Sequence, residues 1–444
     1  MAQTSQNSSQ WEWRLVKAAV LVFPLIPELG GLGLLIATIQ NLRQHFFKII
    51  KQPIIKAFGV VSLWLIFTCI VSPRPLDAFL GLGNFFPFFL VFMSVSDLIK
   101  TPSHLRQLAW QFVIPSVAVF WLGVGQLFLG WGIPPVIDPI ISADFPPYGD
   151  PVGRMSSVFM YANILAFYFL MVFIIGIGLT LDMYQQWRVK PSSKNRALLI
   201  FLSSTVLSNG VGLLLTNSRN AWGLAFLACV VYALYLGWRS LVAGFAVLAS
   251  SIAIASWGPS PLKEGFRQIV PAYFWARLSD ELYQDRPYAL LRTTQWKFAL
   301  QMMLDRPLTG WGLRNFSPMY KAQMKLWLGH PHNLFLMFLG EIGIIGTILF
   351  GSWVGWILFK GVRLYLNLYS LSTVKNYSGQ MMLFTYLLAF SEAILFNCFD
   401  LSVFDGKANT FGWLILAAIT GIVLSSEKFI SNYKNSEVNQ ENLS

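Results

Sequence analysis

Long apolar runs, separated by short polar or charged stretches, repeat along the whole chain. They lie near residues 15–40, 54–72, 77–98, 107–130, 155–181, 197–216, 220–237, 240–257, 333–359, 380–397 and 408–425. Most of them have the roughly 17–25 residues that an α-helix needs to cross a bilayer. In hydrocarbon the backbone polar groups must be paired within the chain, so runs of this length predict helices. The pattern therefore predicts an all-α polytopic membrane protein.

The first run differs from the others because its middle is interrupted. Pro24, Pro27 and Glu28 precede glycines at positions 30, 31 and 33, and proline disrupts a helix interior because it removes a backbone donor. We predict two short membrane segments joined by a tight turn, with a single helix as the alternative. With this hairpin the chain has about twelve membrane segments.

Charges in the connections alternate from one side of the membrane to the other. Basic connections, which prefer the cytoplasm, lie near residues 41–56, 100–106, 188–196, 239, 360–363 and 428–434. Among the connections expected outside, 131–154 carries Asp138, Asp144 and Asp150. Arg14 and Lys17 favour a cytoplasmic N-terminus, which requires the hairpin. Both termini are therefore predicted to be cytoplasmic.

One outer connection, residues 258–332, is much larger than the rest. It divides the chain into an N-terminal transmembrane bundle (1–257), a large periplasmic loop with amphipathic helices (258–332), C-terminal transmembrane helices (333–425) and a cytoplasmic polar tail (426–444). The loop carries ten Lys and Arg against five Asp and Glu. An anionic ligand would explain this excess, although long loops largely escape the bias that keeps basic residues inside.

Residues 289–304 of this loop have helical spacing. Leu290, Trp296, Leu300 and Met303 form one apolar stripe, which predicts an amphipathic helix. Such a helix would pack on the bundle or on the membrane surface, and it could also cover a site.

The composition supports a membrane protein over other classes. The chain is 55% hydrophobic and 12% charged, with a mean hydropathy of +0.56, whereas about 25% of the residues of a soluble domain are charged. The net charge of +12 is explained by cytoplasmic loops, so no nucleic-acid partner is expected. Cys69, Cys229 and Cys398 have no paired spacing and predict neither a disulfide framework nor a metal site.

Two of the four histidines stand together at the end of the large loop. His330 and His332 flank Pro331, just before the apolar run that begins near Asn333. The N-terminus of a helix carries partial positive charge and disfavours protonation of a nearby imidazole. His332 is therefore a candidate general base. The alternative is that it only caps the helix or lies in the membrane interface.

Four stretches, taken in order, resemble motifs of the O-antigen ligase and polymerase superfamily. His332-Asn333, nine residues and then Gly343-Ile-Ile-Gly346 resemble its H-[NSQ]-x9-G-x-x-[GTY] pattern. The other three are RMSSVFMYAN (154–163), TNSRNAW (216–222) and PLTGWGLRNF (307–316). They resemble its GR-x4-F-x3-N, T-x-S-R-x-x-W and P-x-x-G-x-G-x-x-x-F segments. Their order, spacing and topology agree with the superfamily from about residue 70 to 425.

The resemblance implies a GT-C-like glycosyltransferase of the bacterial inner membrane. Such enzymes take a glycan from undecaprenyl pyrophosphate on the periplasmic face. They pass it to lipid A core, to another lipid-linked repeat or to a protein, and the ligase-like members need no metal or other cofactor. His332 would accept the proton of the acceptor hydroxyl while the oxygen attacks the anomeric carbon with inversion.

Arginines are the expected partners of the pyrophosphate, because a planar guanidinium pairs bidentately with phosphate oxygens. The candidates are Arg219 in a very short outer connection, Arg292 in the amphipathic stretch and Arg154 at the mouth of a helix. His330, Asn333 and Arg314 are candidates for supporting roles. The alternatives are a snorkelling role for Arg219 and ordinary solvation for Arg314.

Two other functions are compatible with the sequence. The first is transport of an anion such as bicarbonate, which should place charged groups in broken helices near mid-membrane. Only Glu341 and Glu392 lie there, and both are expected to form interhelical hydrogen bonds. The second is a non-catalytic role in a polysaccharide assembly complex. Asp400 and Asp405 fall in an outer connection and are expected to be solvated.

Overall fold

A computed structural model describes residues 2–133, 145–279, 281, 287–370 and 377–441. Within these residues the secondary structure is helical and contains no strand, which confirms the all-α class. Asp138 and Asp144, two of the three aspartates that place the 131–154 connection outside, lie outside the described residues.

The first ten helices run from the N-terminus to the large loop. They are α1 (Ala2–Val22), α2 (Pro27–Ile49), α3 (Pro53–Ile70), α4 (Pro75–Gly81), α5 (Phe86–Leu98), α6 (Pro102–Leu129), α7 (Ala162–Val189), α8 (Ser193–Leu215), α9 (Arg219–Tyr235) and α10 (Arg239–Trp257). Proline occupies the first turn of α2 to α6, where its missing N–H needs no partner within the helix.

Seven more α-helices, together with two short 3₁₀ helices at Leu82–Asn84 and Tyr288–Leu290, complete the described chain. The α-helices are α11 (Leu262–Ile269), α12 (Ala272–Leu278), α13 (Arg292–Asp305), α14 (Phe316–Met324), α15 (Leu334–Ser370), α16 (Tyr377–Phe396) and α17 (Gly406–Glu441). The short helices α11 to α14 all belong to the large loop. α17 continues as one helix past residue 425, where the sequence predicts the polar tail to begin.

Nine helices among the described residues are long and apolar enough to cross a membrane. They are Pro53–Ile70, Pro75–Leu98, Pro102–Leu129, Ala162–Val189, Ser193–Leu215, Arg239–Trp257, Leu334–Leu368, Gly379–Phe396 and Gly406–Lys428. α9 is apolar but shorter, and neither α1 nor α2 belongs to this set. The chain is therefore a multi-pass membrane protein, while the predicted count of about twelve segments is not confirmed.

The interrupted first run forms two helices that pack against each other. α1 ends at Val22 and α2 begins at Pro27, so the break falls where the prolines predict it. A Cβ on Gly30 would lie 2.6 Å from the Cα of Phe23. This glycine therefore allows the close approach of the two helices.

α17, α7 and α16 form the centre of the bundle. In these helices 89%, 78% and 72% of the apolar window is buried, against 11% for α10 at the periphery. Because α16 and α17 are joined by residues 397–405, that connection lies above the most buried part of the bundle.

The amphipathic helix of the large loop exists, but its predicted stripe is wrong. α13 buries Thr294, Gln295, Phe298, Ala299 and Met302. Leu290 and Leu300 are exposed, because the buried face of α13 is set by the aromatic rings of α14 and by the start of α15. Phe298 packs edge-on against Phe316 and Tyr320 at ring distances of 5.6 and 5.0 Å.

The loop segment 307–312 is fastened to a kink in α15. Gly343 has non-helical backbone angles inside α15 (φ 71°, ψ 178°). Across this kink, the N–H groups of Trp311 and Gly312 donate to the carbonyls of Gly340 and Glu341 at 3.0 and 2.7 Å. The N–H of Ile344 donates in return to the carbonyl of Pro307 at 2.8 Å. The motif at 307–316 and the motif at 332–346 therefore form one structural unit.

Candidate functional site

The turn that follows α16 collects the ends of three helices. The N–H of Leu334 donates to the carbonyl of Asn397 at 2.8 Å, and the side-chain amide of Asn333 donates to the carbonyl of Cys398 at 2.9 Å. From α9, the side-chain amide of Asn220 donates to the carbonyl of Phe396 at 3.0 Å. These bonds hold the start of α9 and the start of α15 beside residues 396–402.

Asn333, not His332, caps α15. The Asn333 Oδ1 atom accepts from the N–H of Leu336 at 3.0 Å, which satisfies one of the unpaired donors of the first turn. His332 precedes the cap and has a left-handed backbone with φ of 52°. This conformation costs a non-glycine residue about 1–3 kcal/mol and occurs often at functional sites. The alternative reading of His332 as the helix cap is therefore wrong.

His332 forms a hydrogen-bonded pair with Asp400. Its Nδ1 atom lies 3.0 Å from Asp400 Oδ1. Asp400 is only 5% exposed, so the expectation that it is solvated is wrong. The connection folds back onto the bundle and brings Asp400 into contact with the imidazole. Asp405 is not simply solvated either, because its Oδ1 accepts from the N–H of Ala408 at 2.8 Å and caps α17.

The charge state of Asp400 determines how the imidazole is oriented. Burial alone would raise the pKa of the Asp400 carboxyl, but the hydrogen bond and charge of His332 outweigh burial and hold that pKa below its ordinary value. Asp400 is therefore an ionised acceptor at neutral pH, and the Nδ1–H of His332 must donate to it. The Nε2 atom of a neutral imidazole then carries the lone pair. The side chain of His332 is 27% exposed, so the ring remains accessible.

A second hydrogen bond connects Asp400 to the Arg154 motif. The side-chain amide of Asn163 donates to Asp400 Oδ2 at 2.6 Å, and Arg154 Nη2 donates to Asn163 Oδ1. Arg154 Nε also donates to the carbonyl of Thr216 at 2.8 Å. This carboxylate therefore joins three of the motif stretches. They are 154–163, 216–222, which it reaches through Arg154, and the one that begins at His332.

His330 stands beside His332 in the same cluster. The two rings are 4.5 Å apart at 80°, and His330 stacks on Phe404 at 5.7 Å. Its Nδ1 accepts from the N–H of His332 at 3.2 Å, which helps to hold the left-handed backbone. Burial, followed by the charges of His332 and Arg292, lowers the pKa of His330 to about 4. His330 is therefore neutral at physiological pH.

Arg292 begins α13, and that helix packs on the histidine segment. The indole of Trp296, one turn along the helix, donates to the carbonyl of Pro331 at 3.0 Å. Arg292 is exposed, and it is close enough to His330 to contribute to the lowered pKa of that side chain. Arg292 thus lies at the edge of the histidine cluster, and its role in binding pyrophosphate stays a prediction.

Arg219 lies on the other side of the turn, as the first residue of α9. Its guanidinium donates to the carbonyl of Arg277 in α12, and both arginines line an apolar groove of about 1050 Å³. α8, α9, α10 and α12 form this groove, and Trp222 stands in its wall with its ring 5.2 Å from that of Tyr273. A cation at one end of an apolar groove suits an anionic lipid.

Arg314 and Glu341 belong to the loop fastening at the kink of α15. Arg314 is exposed, with φ of 60°, and a Cβ on Gly81 would lie 3.2 Å from its Cγ. Glu341 Oε1 accepts from the N–H of Phe316 at the start of α14, at 3.1 Å. Arg314 thus sits at the 310–312 turn, and its supporting role at His332 stays a prediction. The Oε2 of Glu392 is buried without a hydrogen-bond partner among the described residues.

His330, His332 and Asp400 together meet the geometric condition for a metal ligand set. One ligand-type atom from each residue lies within 4.8 Å of the others, and two imidazoles with one carboxylate are ligands that zinc accepts. The sequence expectation of no metal site rests on the cysteines and on the lack of a carboxylate cluster, and it does not foresee Asp400. The hydrogen bonds of Asp400 account for both of its oxygens without an ion.

These features define a polytopic all-α membrane protein with a histidine–carboxylate site at one end of its helices. Residues 204–351 match the family model described as O-antigen ligase. The match includes three of the four motifs, at 216–222, 307–316 and 332–346, and it supports an O-antigen ligase or polymerase type of family. The resemblance is therefore confirmed over this segment, and it supports an enzyme of polysaccharide biosynthesis. No curated protein matches the chain.

Proposed function

We propose that this protein is a glycosyltransferase of the bacterial inner membrane that moves a glycan from undecaprenyl pyrophosphate to an acceptor hydroxyl on the periplasmic face. One observation carries the proposal: the hydrogen bond between His332 and the buried carboxylate of Asp400. It gives the chain an imidazole oriented by a carboxylate at the end of its membrane helices, beside a basic loop. The family match over residues 204–351 supports the same class.

In the proposed step, His332 acts through Nε2. This atom accepts the proton of the acceptor hydroxyl as the oxygen forms a bond to the anomeric carbon. The bond between that carbon and the phosphate oxygen breaks at the same time, and undecaprenyl pyrophosphate leaves with the electron pair. A single displacement inverts the anomeric configuration. Asp400 stabilises the imidazolium that forms, since the Nδ1–H continues to donate to an ionised carboxylate.

Arg219 and Arg292 are the proposed partners of the leaving pyrophosphate. Arg219 directly precedes Asn220, which bonds to the carbonyl of Phe396, and its own guanidinium donates to the carbonyl of Arg277. Arg292, at the start of α13, is close enough to His330 to lower the pKa of that side chain. Positive charge held near the departing oxygens stabilises the transition state more than the ground state, because charge develops there as the bond breaks. The apolar groove beside Arg219 would receive part of the polyprenyl chain.

Arg154, predicted to bind pyrophosphate, has contacts that support a different role. Its guanidinium is occupied by Asn163 and by the carbonyl of Thr216. We infer that Arg154 positions Asp400 through Asn163, and so acts on the base rather than on the donor. Lipid A core, a second lipid-linked repeat or a protein are the proposed acceptors.

The test is transfer of labelled glycan by purified protein in lipid, with the donor prepared from the native host. Wild type and His332→Ala would be compared with lipid A core and unlabelled donor as separate acceptors. Transfer that disappears in His332→Ala supports the proposal, and the labelled acceptor distinguishes a ligase from a polymerase. If the intact wild type transfers to neither acceptor, the anion-transport or non-catalytic alternative becomes the better account.

A further inference from the structure

A pocket lined by lysines lies at the end of the bundle opposite to His332. Phe47, Lys48, Lys51, Gln52 and Lys428 line a cavity of about 480 Å³, called the lysine pocket below. Lys428 stands 22 residues along α17 from Gly406, and at 1.5 Å per residue this is roughly 33 Å. That distance equals about one bilayer thickness, so the lysine pocket and His332 lie at opposite surfaces of the membrane.

Four chain segments meet at the lysine pocket. The end of α2 contacts the end of α5, since Lys48 Nζ lies 3.0 Å from Asp97 Oδ1. α17 passes next to the same place, because the Ser425 hydroxyl donates to the carbonyl of Lys100 at 2.8 Å. α3 begins at Pro53, next to the wall residue Gln52, and its N-terminus adds partial positive charge.

The charges around the pocket do not cancel. Asp97, the ion-pair partner of the lining residue Lys48 at 3.0 Å, is also shared by His45 at 3.2 Å. Glu427, next to Lys428, pairs instead with Lys360 at 2.8 Å. In the described part of the chain, Lys51 and Lys428 have no ion-pair partner within 4 Å. The pocket therefore carries net positive charge from lysines 48, 51 and 428, with Lys100 nearby.

The rim of the pocket is aromatic and open. Phe47 is 76% exposed, and its ring lies 5.7 Å from that of the half-exposed Phe46. Aromatic side chains of this kind are enriched where a membrane protein meets the headgroup region. An exposed ring beside ammonium groups would contact the acyl end of a lipid whose phosphate lies on the lysines.

We propose that the lysine pocket binds the headgroup phosphate of an anionic phospholipid in the leaflet facing away from His332. Basic pockets between membrane helices bind such headgroups, and each lysine near the surface contributes measurably to the attraction. Zwitterionic lipids bind more weakly because their own ammonium group repels the pocket. The proposal does not depend on glycan transfer.

Binding would be measured by thermal unfolding of the full chain in a neutral detergent. The probes are dioctanoyl phosphatidylglycerol, dioctanoyl phosphatidylcholine and inorganic phosphate, each titrated separately, because a ligand of the folded state raises the unfolding temperature. We expect phosphatidylglycerol to raise the unfolding temperature in a saturable, salt-sensitive way. In the double variant Lys51→Gln with Lys428→Gln, its affinity should be at least about tenfold weaker than in wild type. The double variant Lys51→Arg with Lys428→Arg should retain binding, because the charge is kept.

Lys190→Gln with Lys194→Gln is the matched control, since it removes the same charge from two exposed positions, Lys190 just after α7 and Lys194 in the first turn of α8. It should leave binding unchanged. Equal affinity in wild type and the Lys51/Lys428 glutamine variant, or equal affinity for phosphatidylcholine, would overturn the proposal. So would displacement of phosphatidylglycerol by an equal concentration of inorganic phosphate, because the site would then take free phosphate.

A second measurement covers the case in which the glutamine variant does not insert. Wild-type protein would be labelled with a photoactivatable phosphatidylglycerol and digested. Labelled peptides containing residues 46–52 or 428 support the site. Labelling spread evenly over all lipid-facing helices contradicts it.

Discussion

His332 and Asp400, 68 residues apart in the chain, share a hydrogen bond of 3.0 Å between Nδ1 and Oδ1. The carboxylate fixes which nitrogen of the imidazole carries the proton. The free lone pair at Nε2 of His332 therefore depends on a residue from a different connection.

Asp400→Asn should therefore reduce transfer with little loss of fold. An amide can donate as well as accept, so it permits the imidazole tautomer that has no lone pair at Nε2. We expect kcat to fall by about 10²–10⁴-fold, with KM for the donor nearly unchanged. Steady-state transfer kinetics would measure both.

Asp405→Asn is the matched control for this experiment, because asparagine caps a helix about as well as aspartate. It should transfer at the wild-type rate. Equal rates for the two asparagine variants would remove Asp400 from the mechanism.

His330 gives stability a pH dependence whose sign can be worked out. Burial, with the charges of His332 and Arg292, lowers the pKa of His330 from 6.5 to about 4. Between these two values the unfolded chain binds the proton and the folded chain does not, so stability rises with pH. Its contribution is complete above about pH 6.5 and is lost as pH falls to about 4.

His330→Gln should flatten this dependence. Glutamine does not titrate, so the fall in unfolding temperature between pH 7 and pH 4 should be smaller than in wild type. Circular dichroism melts at several pH values would measure the difference. An identical slope in both proteins would show that His330 does not carry the effect.

Asn163→Ala should impair the site by leaving Arg154 and Asp400 without their shared partner. An unsatisfied buried polar group costs about 1–3 kcal/mol, so we expect a lower unfolding temperature together with a lower kcat. Arg154→Lys should reproduce the kinetic loss, because an ammonium cannot contact Asn163 and Thr216 in the same fork geometry. If Asn163→Ala raises donor KM and leaves kcat unchanged, this part of the site binds donor instead.

Arg292→Lys and Arg219→Lys should each reduce transfer by about 10–100-fold, since lysine keeps the charge but loses bidentate contact with phosphate. Lys297→Gln is the control on α13, because Lys297 is exposed on the same helix. A transfer rate in the two arginine variants equal to that of Lys297→Gln would exclude a role in leaving-group stabilisation.

Gly343→Ala should destabilise the protein strongly. Its φ of 71° disfavours any side chain, and a Cβ there would lie 2.2 Å from the carbonyl oxygen of Leu308. Gly351, in the same helix, has open space around it, so Gly351→Ala should be neutral or stabilising by about 1 kcal/mol. Unfolding temperatures of the two variants in one detergent would show the contrast, and similar values would mean that the loop is not fastened at the kink.

Much of the fold follows from hydropathy, because the membrane requires apolar helices of a fixed length. The apolar runs predict the spanning helices, and the prolines near residue 24 predict the break between α1 and α2. The buried face of α13 could not be predicted from hydropathy. Its buried face is chosen by Phe316 and Tyr320, which lie in a later segment.

The site was partly predictable for a related reason. The motif at 332–346 indicates His332, and the amphipathic stretch of the basic loop indicates Arg292. α13, which Arg292 begins, packs on the histidine segment through Trp296. Asp400 was missed because an acid in an outer connection is normally solvated, and nothing near it in the sequence indicates that the connection folds inward. Asn163, the last residue of its motif, carried a signal, but its partner could not be identified without the fold.

The pairing of His332 with Asp400 also has a consequence for the order of synthesis. A ribosome that has just completed α15 has made the histidine but not the carboxylate that orients it. Only after α16 has inserted and the chain has turned back does the base acquire its proton arrangement. On the proposed mechanism, the nascent protein would therefore lack an oriented base until α16 has inserted and residues 397–405 have folded back.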